Sequence, residues 1–173
     1  SGSFVIENPE NYSGLYLPLA GEMGLKSNIT PSMAGDAKTD QNHFLLEPVS
    51  IENLHNNKNG RNFWCRIEGN GIWSVSGASA LQEAEKFTAS QDESKIEAGL
   101  MWQKLTRISK KYGIKSEVLS FVPTDKNIEI MYVTLENTSD ESIKFTPVAA
   151  IPLYGRSADN IRDHRHVTSL LHR

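Results

Sequence analysis

The chain has 173 residues, a formal net charge of −3 at neutral pH and 38% hydrophobic residues, which suits one domain with one sizeable core. That acidic balance argues against nucleic acid as a partner, and no apolar run approaches the roughly 18 residues of a membrane span. A single cysteine, Cys65, excludes an intramolecular disulfide and points to a reducing compartment, the cytoplasm.

Residues 19–42 are rich in Gly, Ser, Thr, Asp and Asn and lack periodicity, so they read as a binding loop or lid, and 55–60 as a second polar loop. Over 61–67, Phe63, Cys65 and Ile67 alternate with Asn62, Trp64 and Arg66, a strand pattern. Asn70-Gly71 is a two-residue turn signal that predicts a hairpin into 72–76. Helical signal is confined to 80–87 and predicts no more than an edge turn. Residues 100–110 alternate Trp102, Lys104, Thr106 and Ile108 against Met101, Gln103, Leu105 and Arg107. Gly113 punctuates, 114–121 runs back, and a turn at 124–127 leads into a strand at 128–136. A polar turn at 137–141 precedes the apolar strand 143–152. Many short strands with turn chemistry between them predict an all-β antiparallel sandwich or barrel.

The tail differs in character. Residues 154–173 hold four of the seven arginines and three of the five histidines, and no lysine. Arginine without lysine suits planar, bidentate recognition of carboxylate, phosphate or sugar hydroxyls. Arg156, Arg162, Asp163, His164, Arg165 and His166 are therefore substrate-binding or interface candidates. The other reading is a salt-bridged inter-domain surface, neutralised by Asp159 and Asp163. His164-x-His166, with Asp163 or His172, has the donors of a divalent metal site, but Arg162 and Arg165 would repel a cation, and no metal is assigned.

Other motifs narrow the reading. There is no His-Glu-x-x-His, P-loop or Gly-x-Ser-x-Gly, and Gly69-Asn-Gly71 lacks the third glycine of a dinucleotide loop, so no cofactor is expected. Cys65 shares a face with Phe63 and Ile67 and reads as buried filler. Trp64, beside Asn62 and Arg66, is the tryptophan best placed to stack on a sugar, with Asn62 as a hydrogen-bonding neighbour; Trp73 and Trp102 read as core. The sequons at Asn11, Asn28 and Asn137 matter only in a glycosylating secretory pathway.

Longer phrases carry a resemblance over essentially the whole chain: residues 4–20, the run Ile29-Thr-Pro-Ser-Met-Ala-Gly-Asp and its continuation to Ser50, Arg61-Asn-Phe-Trp64, Trp73-Ser-Val-Ser-Gly77 and residues 156–173. Together they resemble the N-terminal region of cellobiose-phosphorylase-like enzymes, glycoside hydrolase family 94, formerly glycosyltransferase family 36. Within it they are most similar to long bacterial proteins that include 1,2-β-oligoglucan phosphorylases. The resemblance implies a two-sheet antiparallel β-sandwich of the galactose-mutarotase-like supersandwich type, spanning 1–173 as one domain of a larger multidomain phosphorylase. Residues 155–173 would begin the connection to a helical linker and an (α/α)6 barrel. It implies inverting phosphorolysis: inorganic phosphate, a co-substrate, attacks the anomeric carbon while a carboxylic acid of the barrel protonates the leaving oxygen. Phosphate is already anionic, so no second carboxylate base is needed. No catalytic residue carries over to this chain, which alone is expected to be inactive. Implied partners are the linker and barrel, a second subunit and a β-glucan or disaccharide, with neither nucleic acid nor membrane. An autonomous carbohydrate-binding module and a purely architectural docking domain are the alternatives.

Overall fold

The computed structural model describes residues 2–12, 14–40, 43–46, 60–153 and 156–157. It is an all-β antiparallel sandwich. One layer is a five-stranded sheet in the order β1 (Phe4–Glu7), β8 (Glu93–Gly99), β9 (Trp102–Ser109), β10 (Ile114–Phe121) and β11 (Ile130–Asn137). Facing it across the core are two smaller sheets rather than one. The first orders β12 (Phe145–Ala150), β6 (Asn62–Ile67) and β7 (Gly71–Ser74). The second orders β13 (Arg156–Ser157), β5 (His43–Leu46), β4 (Ala37–Lys38), β3 (Lys26–Ile29) and β2 (Leu17–Ala20). An isolated bridge between Ala34 and Gly60, and a hydrogen bond from the Arg61 amide to the Met33 carbonyl, join these two into one interrupted layer.

Register explains the core. On the inner face of the large sheet Ile96, Leu105, Val118 and Val133 sit side by side on β8 to β11. They meet Cys65, Ile67, Trp73 and Val75 from the β6–β7 hairpin and its end, and Leu19, Leu25, Ile29 and Met33 from β2, β3 and the turns beside them. The apolar row is flanked by two mixed ones, Ser94–Arg107–Ser116–Leu135 and Ala98–Gln103–Ser120–Met131. Arg107, Gln103 and the three serines are all buried. A one-residue slip would turn every one of these side chains to the opposite face.

Four expectations change. Residues 19–42 are not a lid: β2, β3 and β4 form there, with Leu19, Leu25, Ile29 and Met33 in the core. Their strands span only two to four residues and bury Ser27 beside the apolar positions, which erases periodicity. The β6–β7 turn is Glu68–Gly69–Asn70, closed by the Asn70 amide on the Ile67 carbonyl, because Gly69 supplies the positive φ (73°) that the turn needs; Gly71 is already paired with Ile67. Residues Ala80–Glu85 form a capped helix, α1, rather than an edge turn. Trp102 is half-buried on the outer face, whereas Trp73 and Cys65 are fully enclosed as expected. Among the described residues no helix is long and apolar enough to cross a membrane.

Candidate functional site

One concavity lies where three remote segments converge on the Arg107 row of the large sheet. At its floor, the 3-10 turn Pro9–Asn11 directly follows β1 and seats Glu10 over β8 and β9. Glu10 accepts hydrogen bonds from Arg107 Nη2 and Ser94 Oγ, each at 2.5 Å. The guanidinium also donates to the carbonyls of Val75 (3.2 Å) and Ser76 (3.4 Å). Arg107 is only 3% exposed, so these partners are what make its burial tolerable. Gly77 lies flat against it: a Cβ there would stand 2.8 Å from both Cζ and Nη2, closer than packing allows. Burial alone would raise the Glu10 carboxyl, but Arg107, Ser94 and backbone donation together hold it below its ordinary value.

One wall is α1. Ser79 and Gln82 form a reciprocal capping box that fixes the helix start. The Gln82 carboxamide also takes the Ser74 amide (2.9 Å) and donates to the Ser74 carbonyl (3.0 Å), tying the helix to β7. Asp92 Oδ2 then accepts from Gln82 Nε2 and from the indole N–H of Trp73, both at 2.8 Å. Just past the helix, Phe87 has φ +64° and is 68% exposed. An aromatic residue in the left-handed region costs on the order of 1–3 kcal/mol, and here the strain holds a ring out in solvent. Its amide donates to Gln91 Oε1, and the Lys86 ammonium stands 5.5 Å from the ring centroid.

The lining also includes Tyr12, 59% exposed, with Leu15 and residues Thr30, Pro31 and Ser32. The cleft is open on one side and has a volume of about 420 Å³, within the range of small-ligand clefts. A second hollow of about 340 Å³ shares Asn11, Phe87, Gln91 and Asp92 with it, so Phe87 stands between the two. Glu10, Glu83 and Asp92 against Lys86 and Arg107 leave the main cleft slightly acidic.

A second buried cluster is structural. Arg61 is 2% exposed and pairs through Nη2 with Glu129 Oε2 at 2.8 Å and Ser27 Oγ at 2.6 Å. It also donates to the carbonyls of Gly35 (3.3 Å) and Asp36 (3.2 Å), pinning the β3–β4 connection to the entry of β11. Tyr16, hydrogen-bonded to the Asp36 carboxylate, is pushed up to about 12 by burial and by that neighbouring charge.

Of the stretches read from sequence as binding elements, 19–42 contributes Thr30, Pro31 and Ser32 to the cleft, whereas Asn62 and Trp64 do not line it. Asn62 is 4% exposed and its amide oxygen is taken by Ser74 Oγ and the Phe63 amide, both at 2.8 Å. It braces the hairpin from inside and offers nothing to a surface ligand. Trp64 is half-buried, with Val148 of β12 and Ser74 of β7 beside it in register. Arg156 lies in β13, paired with Phe44. Arg162, Asp163, His164, Arg165 and His166 lie outside the described residues, as do 55–59 of the second loop. Among the described residues no three His, Cys, Asp or Glu side chains gather as a metal site. As a whole the cleft is not legible in the sequence, because its lining comes from residues 9–12, 14–15, 30–32, 76–92 and 107; the Ser79-x-x-Gln82 capping box is a local signal within it.

Residues 29–170 match the family model described as glycosyl hydrolase 94, supersandwich domain. No curated protein matches the chain.

Proposed function

Because the chain belongs to glycosyl hydrolase family 94 through its supersandwich domain, we propose that it is the non-catalytic sandwich of an inverting β-glucoside or β-glucan phosphorylase. In this reading the enzyme uses inorganic phosphate to release α-glucose 1-phosphate in the cytoplasm. The general acid belongs to a barrel joined to the sandwich, and the sandwich serves docking and subunit contact. The family match over 29–170 carries the proposal.

Surface chemistry supports the docking part. On β12 and just beyond it Val148, Ile151 and Leu153 are exposed, and Ile128 and Tyr132 are exposed before and on the edge strand β11. Side chains of this size on two sheet edges are expected to be covered in an assembly. The arginine–histidine segment 156–166, with Arg162, His164 and Arg165, is proposed to face the linker and barrel. The test is a phosphorolysis assay of the 173-residue chain with cellobiose or sophorose and inorganic phosphate, alone and with a separately expressed barrel. No glucose 1-phosphate from the chain alone, and a complex with the barrel, is the expected pair of results. Sustained turnover by the chain alone would overturn the non-catalytic assignment, and failure to bind the barrel or itself would overturn docking.

A further inference from the structure

We propose that the cleft lined by Tyr12 and Phe87 is a binding site for a neutral saccharide of two or more pyranose rings. Two features of the cleft point to a ligand. Phe87 is held in a left-handed backbone conformation that favours glycine, yet its ring is exposed and packs into no core. Tyr12 lines the same cleft and is likewise exposed. Two exposed aromatic rings lining one cleft suit the C–H faces of a pyranose, while the Tyr12 hydroxyl supplies a polar edge.

The polar part of the lining is firmly built. Gln82, Asp92, Arg107 and Glu10 are fixed by their mutual contacts and by β7, β8 and β9. Only Asp92 Oδ2 is engaged by Trp73 and Gln82, which leaves Oδ1 as an acceptor for a hydroxyl. Glu83 and Gln91 also line the cleft and add acceptor and donor groups. Rigid polar groups of this kind give orientation without a large ordering cost.

Charge selects among ligands. Three carboxylates against two cations disfavour phosphate or an acidic sugar, and the Arg107 charge is already committed to Glu10. An organic cation is disfavoured too, because Lys86 already stands by the Phe87 ring. A neutral, hydroxyl-rich ligand remains. The two hollows meeting at Phe87 give room for rings on both sides of it, hence more than one sugar unit.

The experiment is titration of the 173-residue chain with cellobiose, sophorose and cellotriose, followed by ligand-observed NMR and calorimetry, with inorganic phosphate as the anionic control. Saturable sugar binding is expected, weakened about tenfold or more by Tyr12→Ala and by Phe87→Gly and unchanged by Trp64→Ala. Phe87→Gly relaxes the backbone while removing the ring, so its Tm is expected to hold or rise. Absence of saturable sugar binding, binding that survives both substitutions, phosphate competing for the cleft, or a Tm fall in Phe87→Gly would each overturn the proposal. The cleft is argued independently of docking, so sugar binding by a chain that fails to engage a barrel would refute only the docking role.

Discussion

Removing Arg61 is the sharpest test of how this sandwich is held together. Arg61→Met keeps much of the apolar stem and deletes the guanidinium. It leaves the Glu129 carboxylate without its ion-pair partner and the Gly35 carbonyl without its donor; the Asp36 carbonyl keeps the Asn28 amide at 2.9 Å. Breaking a buried pair from one side costs about 3–5 kcal/mol. Glu129 retains 14% side-chain exposure, so water relieves part of the penalty and the lower end, about 3 kcal/mol, is expected. Against a total stability of about 5–15 kcal/mol this is a large share. For a domain of this size it corresponds to a Tm fall of about 6–12 °C. Adding Glu129→Leu removes the stranded charge, and the double variant is expected within about 1–2 kcal/mol of the native chain, the residue being the orphaned Gly35 carbonyl. Urea unfolding of the native chain, both single variants and the double variant closes the cycle. The reasoning fails if Arg61→Met alone costs under about 1 kcal/mol, or if the double variant is as unstable as Arg61→Met.

Two further outcomes follow from ionisation. Glu10 titrates below its ordinary value of 4.5 in the folded chain, so its contribution to stability is full above that pH and lost as pH falls through the depressed folded value. Thermal unfolding across the acid range is expected to show a shallower pH dependence in Glu10→Gln, and an unchanged acid limb would refute the coupling. Burial pushes the Cys65 thiol up to about 11, so the native chain is expected to resist thiol reagents at mildly alkaline pH and to react once unfolded. Rapid native labelling would show that Cys65 is not enclosed.

What sequence reading captured follows from what lies inward. β6, β9, β10 and β11 alternate apolar and polar residues because one face of each meets the core, so their positions and their hairpin order were legible. β8 was not singled out, since its inward residues, Ser94, Ile96 and Ala98, include two small ones that weaken the pattern. β2 to β4 were invisible for another reason: Ser27 and Asp36 are buried through bonds to Arg61, which lies far along the chain. Asn62 was misplaced because polarity was taken as exposure, whereas its partners Ser74 and Phe63 let it sit inside. Phe87 gave no signal, because nothing in the residues around it announces a positive φ.

Arg107, buried in the large sheet, also holds parts of the cleft lining. Through Glu10 it anchors the segment that carries Tyr12, and through the Val75 and Ser76 carbonyls it anchors the strand leading to α1 and Phe87. One buried cation thus ties together two segments remote in sequence that line the cleft, so this part of its shape is inherited from the core and does not await a ligand. Coupling of this kind has a consequence for mutagenesis. Substitutions at Glu10 or Arg107 lower stability and distort the cleft together, and cannot apportion the two. Phe87 stands outside that linkage, its ring exposed and its backbone strained. If the strain is retained for binding, Phe87→Gly separates the two quantities, with stability held or gained and saccharide affinity lost.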